Sequence, residues 1–149
     1  MTRSALQSAA IRLTSAVVLP PVIVGTAYFC LFSHRSDYLG HFLAGYAGTL
    51  GVATVVSTAL VQMRVERFIG WAVLCVTVAC IALGGFLENT VYRIAKWDEV
   101  DFCNQSLGAV LAGLGSLAAG GYGRGTLAAL VMILWAVVLM IGGYHFAFR

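Results

Sequence analysis

Polar side chains are scarce in this sequence, and several of them stand where an apolar segment begins or ends. Asp37 and His41 open the stretch "SDYLGHFLAGYAGTLGVA" and are four residues apart. That spacing places both on one face of a helix. The carboxylate can simply favour the helix N-terminus, as can the hydroxyl of Ser36. The alternative is that the carboxylate and the imidazole belong to a polar site.

A second stretch, "DFCNQSLGAVLAG", has the same build. Asp101 precedes Gln105 by four residues, Asn104 lies beside Gln105, and a glycine-rich apolar segment follows. Two helices would therefore present an acid and a polar side chain at the same membrane side. This coincidence favours a shared polar cluster.

Glu88 follows the apolar run "CVTVACIALGGFL" and stands at the edge of the hydrocarbon region. A charged side chain costs roughly 2.5–3.5 kcal/mol at the centre of a membrane helix and less near its end. Glu88 is therefore either an acid that reaches the headgroups from a helix end or a member of the cluster. The expected cluster comprises six side chains: Asp37, His41, Glu88, Asp101, Asn104 and Gln105.

The elements that must position these residues follow from composition. Of 149 residues, 60% are hydrophobic and 10% are charged, against roughly 25% charged in soluble domains. The mean hydropathy of +0.91 predicts an all-α, polytopic transmembrane bundle. A span needs about 20 apolar residues, and five segments approach that length: roughly 13–33, 39–62, 69–91, 103–121 and 126–147.

The bundle has five helices if all five segments span the membrane, and four if the first or the fourth segment is not a full span. The first contains Pro20 and Pro21, which predict a kink. The fourth is short and rich in glycine and alanine, so it is a thin span, a tilted span or a re-entrant segment. Residues 1–12 are expected to form an interfacial extension, and residues 13–149 a single transmembrane bundle.

Small residues recur at helical spacing in the second and fourth segments. Helices in lipid associate through close backbone approach at such positions. We therefore expect these two segments to pack tightly against each other. The residues predicted to make this contact are Ala44, Gly48, Gly108, Ala112, Ser116 and Gly120.

Basic residues in the short links predict the orientation in the membrane. A cytoplasmic N-terminus places five basic residues inside (Arg3, Arg12, Arg64, Arg67 and Arg124) and four outside (Arg35, Arg93, Lys96 and Arg149). The polar cluster would then lie at the outer face. This orientation fits a multi-pass protein of a bacterial cytoplasmic membrane.

The sequence contains no nucleotide-binding loop, no GxSxG and no HExxH. Its four cysteines lack metal-ligand spacing, although a disulfide between Cys30 and Cys103 stays open. We expect no catalytic residue, metal or cofactor, and no nucleic-acid partner. The expected partners are membrane lipids and other membrane subunits that contact the Gly/Ala-rich faces.

The two polar stretches resemble the VanZ-like family of small polytopic membrane proteins, named for a member associated with teicoplanin resistance. "DYLGHFLAGYAG" is similar to the family's Asp-x-x-x-His-x-x-Ala helix opening, and "LEN" with "DFCNQSLGAVLAG" is similar to its second half. The resemblance covers roughly residues 35–120. The matching positions are Asp37, His41, Glu88, Asp101 and Gly108.

Three positions depart from the family pattern. The pattern's Asn falls on Gln105, its Gln falls on Val91, and its loop arginine has no counterpart in register. The resemblance implies a membrane bundle of four or five helices with polar motifs grouped near one face. It implies no particular reaction.

Two functions of different classes follow from the sequence. In the first, the chain is a non-catalytic VanZ-like envelope protein whose outer polar cluster binds a lipid headgroup or a cell-wall precursor, or bridges helices. In the second, it is an accessory or assembly subunit of a larger respiratory or photosynthetic membrane complex.

Overall fold

The computed structural model describes residue 8 and residues 11–90, 98–119 and 126–148, apart from the side chain of Glu88. Within these residues the chain forms five α-helices joined by short links. They are α1 (Leu19–Leu31), α2 (Ser36–Gln62), α3 (Ile69–Thr90), α4 (Glu99–Ala119) and α5 (Thr126–Ala147). A π-helical turn, Thr14–Val18, precedes α1, and a 3₁₀ turn, Glu66–Phe68, precedes α3.

Five helical segments are long and apolar enough to cross a membrane, and the first of them, Ile11–Leu31, comprises the π-helical turn together with α1. This confirms the prediction of an all-α, multi-pass bundle. The uncertain fourth segment is a continuous helix of 21 residues. Both α2 and α4 begin about a turn before the apolar segment, with Asp37 in the first turn of α2 and Glu99 and Asp101 in that of α4. Acidic side chains in a first turn stabilise a helix start through the macrodipole.

The longest helix, α2, forms the centre of the bundle. It packs most extensively against α4 and α5, and also contacts α3 and α1. Its large side chains Phe42, Tyr46 and Leu50 are fully buried. The faces that α3 and α5 turn outward are apolar, as expected for surfaces in contact with lipid.

Glycines allow α2 and α4 to approach closely. A Cβ on Gly108 would overlap the carbonyl oxygen of Phe42, and a Cβ on Gly45 would overlap that of Gln105. Ala112, one turn beyond Gly108, is also fully buried. The second and fourth segments therefore meet backbone to backbone.

Two of the other residues predicted to make this contact, Ala44 and Gly48, face α5 instead. The backbone of Ala44 lies beside Gly143, so Ala44 packs against α5. A Cβ on Gly48 would meet only Met140, at 3.7 Å, so Gly48 faces α5 without tight packing. The hydroxyl of Ser116 is buried and makes no hydrogen bond within the described chain. Gly120 lies outside the described residues.

The prolines explain how the first helix joins the bundle. Pro21 has no N–H to donate to the carbonyl of Val17, four residues earlier. The buried hydroxyl of Tyr46 instead donates a hydrogen bond to this carbonyl at 2.8 Å. The π-helical turn lies at the same place, where the amide of Leu19 bonds back to the carbonyl of Thr14. A side chain of α2 thus supplies a donor that the proline ring removes.

Replacing Tyr46 by phenylalanine should lower the free energy of unfolding by about 1–3 kcal/mol, because a buried carbonyl would lose a donor. Thermal or denaturant unfolding in detergent would measure the change. Tyr144→Phe is the matched control, since Tyr144 is 68% exposed. Equal stability of the two variants would show that the Tyr46 hydrogen bond does not hold the first helix.

Candidate functional site

The candidate site centres on His41 of α2 and Asp101 of α4. The imidazole Nε2 lies 3.5 Å from the carboxylate Oδ2, which is an ion pair when the imidazole is protonated. Their side chains are 24% and 13% exposed, respectively. The close approach of α2 and α4 at Gly45 and Gly108 brings the two helix starts together.

Gln105 adds an amide one helical turn after Asp101. A Cβ on Gly84 of α3 would overlap this amide, so the glycine provides the space that the side chain occupies. Gln105 and His41 line the same cavity. We call His41, Asp101 and Gln105 the polar triad.

Asp37 pairs with Arg35, two residues earlier in the chain. Arg35 donates hydrogen bonds to both carboxylate oxygens of Asp37, the shortest from Nη2 to Oδ2 at 3.0 Å. This hydrogen bond raises the pKa of Arg35. The guanidinium also lies 3.9 Å from Asp98 and 4.2 Å from the centre of the Tyr38 ring. Arg35 therefore links the start of α2 to the residue that precedes α4.

Asn104 pairs with Tyr28 of α1. The hydroxyl of Tyr28 donates a hydrogen bond to Asn104 Oδ1 at 2.5 Å, which ties α1 to α4. Asn104 is 8% exposed, and its Nδ2 makes no hydrogen bond within the described chain. The side chain of Glu88, the sixth expected member, lies outside the described residues. Three of the six predicted side chains thus form the triad.

A crevice of about 300 Å³ extends from the triad along α2. His41 and Gln105 line it together with apolar and small residues of α2, α3 and α5. The helices α3 and α5 both pack on α2, but they hardly touch each other in the described part of the chain, which leaves room for the crevice between them. The result is a cavity with polar groups at one end and an apolar body.

Thr49 lines this crevice two turns from His41. Its hydroxyl is buried and makes no hydrogen bond within the described residues. By contrast, Thr54 and Thr77 each donate to the carbonyl four residues earlier, at 2.7 and 2.8 Å. Thr49 therefore leaves a hydrogen-bonding group deep in the bundle.

Arg35, Tyr28 and Thr49 are the polar residues that sequence reasoning missed. Arg35 lies two residues before Asp37, which is a signal for an ion pair at the helix start. Tyr28 pairs with a residue 76 positions away, and no local pattern could indicate that contact. Thr49 looks like the other helical threonines until the packing around it is known.

The triad offers hydrogen-bond donors and acceptors, with a carboxylate as its one fixed charge. Charge-assisted hydrogen bonds to such a carboxylate are the strong ones. Among the described residues that line the crevice there is no Lys or Arg, so a phosphate would find no ammonium or guanidinium group among them. Nor does the described part of the chain contain a group of three His, Cys, Asp or Glu side chains suited to a metal. The thiols of Cys30 and Cys103 are both free.

The five spans define the class, a multi-pass helical membrane protein. No protein-family model, curated protein or solved structure matches the chain significantly.

Proposed function

We propose that this chain is a non-catalytic, VanZ-like protein of a bacterial cytoplasmic membrane whose polar triad binds a polar lipid headgroup. A lipid-linked cell-wall precursor is one lipid of this kind. The observation that carries the proposal is the contact between Asp101 and His41, since His41 and Gln105 line the polar end of the crevice.

The chemistry of the triad favours a headgroup that donates hydrogen bonds. An ionised Asp101 can only accept hydrogen bonds, and Gln105 and a neutral His41 can each accept as well. An ammonium or hydroxyl group offers the donors that these acceptors need. Arg35 is occupied by Asp37 and lies outside the crevice lining, so an anionic headgroup gains no guanidinium partner there.

The VanZ-like resemblance supports the same assignment. Two residues of the triad, His41 and Asp101, fall on the polar positions of that pattern, and Gly108 falls on its glycine. Gly108 is also the residue that lets α4 approach α2. The resemblance thus coincides with the residues that build and position the triad.

Binding of phosphatidylethanolamine and phosphatidylcholine to the purified protein in detergent tests the proposal. The two lipids carry the same net charge, but only the ethanolamine headgroup has ammonium N–H donors. We expect phosphatidylethanolamine to bind several-fold tighter in native mass spectrometry, and His41→Ala to abolish the preference. His34→Ala is the matched control, because His34 is exposed. Equal binding of both lipids to the unmodified protein would refute the proposal.

Gentle detergent extraction separates this function from the accessory-subunit alternative. We expect the protein to be recovered with bound lipid and without stoichiometric protein partners. Recovery in a stable stoichiometric complex, with no lipid preference, would favour the accessory subunit instead.

A further inference from the structure

Two cavities of the bundle together extend from the polar triad and are large enough to hold a hydrocarbon chain. The crevice next to the triad meets a second, almost wholly apolar groove of about 380 Å³ between α2 and α5. Gly48 and Met140 line both cavities. The two spaces are therefore neighbours and share these two residues as part of their walls.

The junction between the cavities is adaptable. Gly48 contributes no side chain, and its missing Cβ would lie 3.7 Å from the terminal methyl of Met140. Methionine is unbranched and flexible, so it can move to fit irregular spaces. A small displacement of Met140 would join the crevice and the groove into one channel.

The length of this path suits a lipid chain. It runs along α2 from His41 to Val55, which is about 21 Å at the helical rise per residue. One leaflet is about 15 Å thick, half of the roughly 30 Å hydrocarbon core. The path is therefore long enough for the whole chain of a lipid in one leaflet. A small polar ligand would leave most of such a path empty, whereas a single long hydrocarbon chain would fill it.

We propose that one hydrocarbon chain of the bound lipid lies along α2, from the polar triad through the crevice and past Gly48 and Met140 into the groove against α5. This inference rests on the proposed function, because the triad holds the headgroup from which the chain extends. Lipid tails are as apolar as the helix faces, so burial by itself gives the chain no preference for the path. The headgroup contacts fix where the chain enters, and the shape of the two cavities then selects its course.

The test uses phosphatidylethanolamine that carries a photoreactive diazirine midway along one acyl chain. The purified full-length protein is illuminated with this lipid in detergent, and the cross-linked residues are identified by mass spectrometry. We expect labels on buried residues that line the path, such as Ala47, Thr49 and Ala136. Outward-facing residues of α3 at comparable depth, such as Val78 and Phe86, which are 58% and 60% exposed, should be labelled at least fivefold less.

Two matched variants show whether the labels report this path. Gly48→Leu fills the junction at a position where a Cβ meets only ordinary contact, and it should reduce labelling along the path about tenfold. Gly70→Leu makes the same change where a Cβ has nothing within 4 Å, and it should leave the labelling unchanged. Met140→Ala widens the junction without adding bulk and should increase labelling at Ala136. Labels spread evenly over the outer faces, or unaffected by Gly48→Leu, would overturn the inference.

His41→Ala distinguishes failure of this inference from failure of the proposed function. If His41→Ala abolishes the lipid preference while Gly48→Leu leaves the labels unchanged, the headgroup site stands and the chain path is wrong. A different result is that Gly48→Leu removes the labels while His41→Ala changes neither the labels nor the preference for phosphatidylethanolamine. The cavities would then bind a chain without the triad, and both the proposed function and this inference would be wrong.

Discussion

Replacing Gly108 by alanine should lower the free energy of unfolding by about 3 kcal/mol, or prevent folding, because overpacking a tight contact costs roughly 1–3 kcal/mol and occasionally more. The added Cβ would overlap the carbonyl oxygen of Phe42 and lie 2.8 Å from the amide nitrogen of Tyr46. Both atoms belong to the backbone of α2, so no side chain can rotate away. The whole helix would have to move.

Unfolding in detergent measures this effect, and other glycines supply the comparison. Gly45→Ala should cost a similar amount, since its Cβ would overlap the carbonyl of Gln105. Gly70→Ala meets nothing within 4 Å and should be neutral or stabilise the protein by up to about 1 kcal/mol, the difference in helix propensity. If Gly108→Ala were as stable as Gly70→Ala, the close approach of α2 and α4 would be wrong.

Replacing Asp101 by asparagine should weaken phosphatidylethanolamine binding roughly ten- to a hundredfold. Hydrogen bonds to a charged group contribute roughly 1.5–3 kcal/mol, and about 1.4 kcal/mol corresponds to a tenfold change in affinity. Asparagine keeps the size of the side chain but removes the charge that the ammonium group would meet. Titration of the lipid by native mass spectrometry gives the two dissociation constants.

Asp98→Asn is the control for this substitution. Asp98 lies near the same end of the bundle, but its side chain is 38% exposed, and it accepts a hydrogen bond from the amide of Val100 at 2.8 Å, which asparagine can also accept. Its replacement should change the dissociation constant less than twofold. Equal losses in both variants would mean that the general negative charge of this end, rather than Asp101, attracts the lipid.

Much of the fold follows from the apolar segments alone. Five apolar segments of about the required length predict four or five spans, and the acids Asp37 and Asp101 mark where α2 and α4 start. The sequence does not reveal which neighbouring helix each glycine contacts. Gly48 has the spacing of a packing residue but lies beside two cavities, whereas Gly45 is the one that meets α4. Spacing identifies a helix face, while contact depends on where the neighbouring helix crosses it.

The candidate site could also be predicted in part from the sequence. His41 and Asp101 each stand at the start of a glycine-rich helix, and that shared build predicts that they lie near each other. The partners of Asp37 and Asn104, which are Arg35 and Tyr28, depend on side-chain directions and on the position of α1. A helical period does not determine either.

A double-mutant cycle on His41 and Asp101 tests the central claim, that these residues act as one headgroup site, most directly. The dissociation constant for phosphatidylethanolamine would be measured for the unmodified protein, His41→Ala, Asp101→Asn and the double variant. For a shared site we expect the double variant to bind about as weakly as the weaker single variant, with a coupling energy of at least about 1 kcal/mol. Two losses that simply add, or four equal constants, would contradict the account.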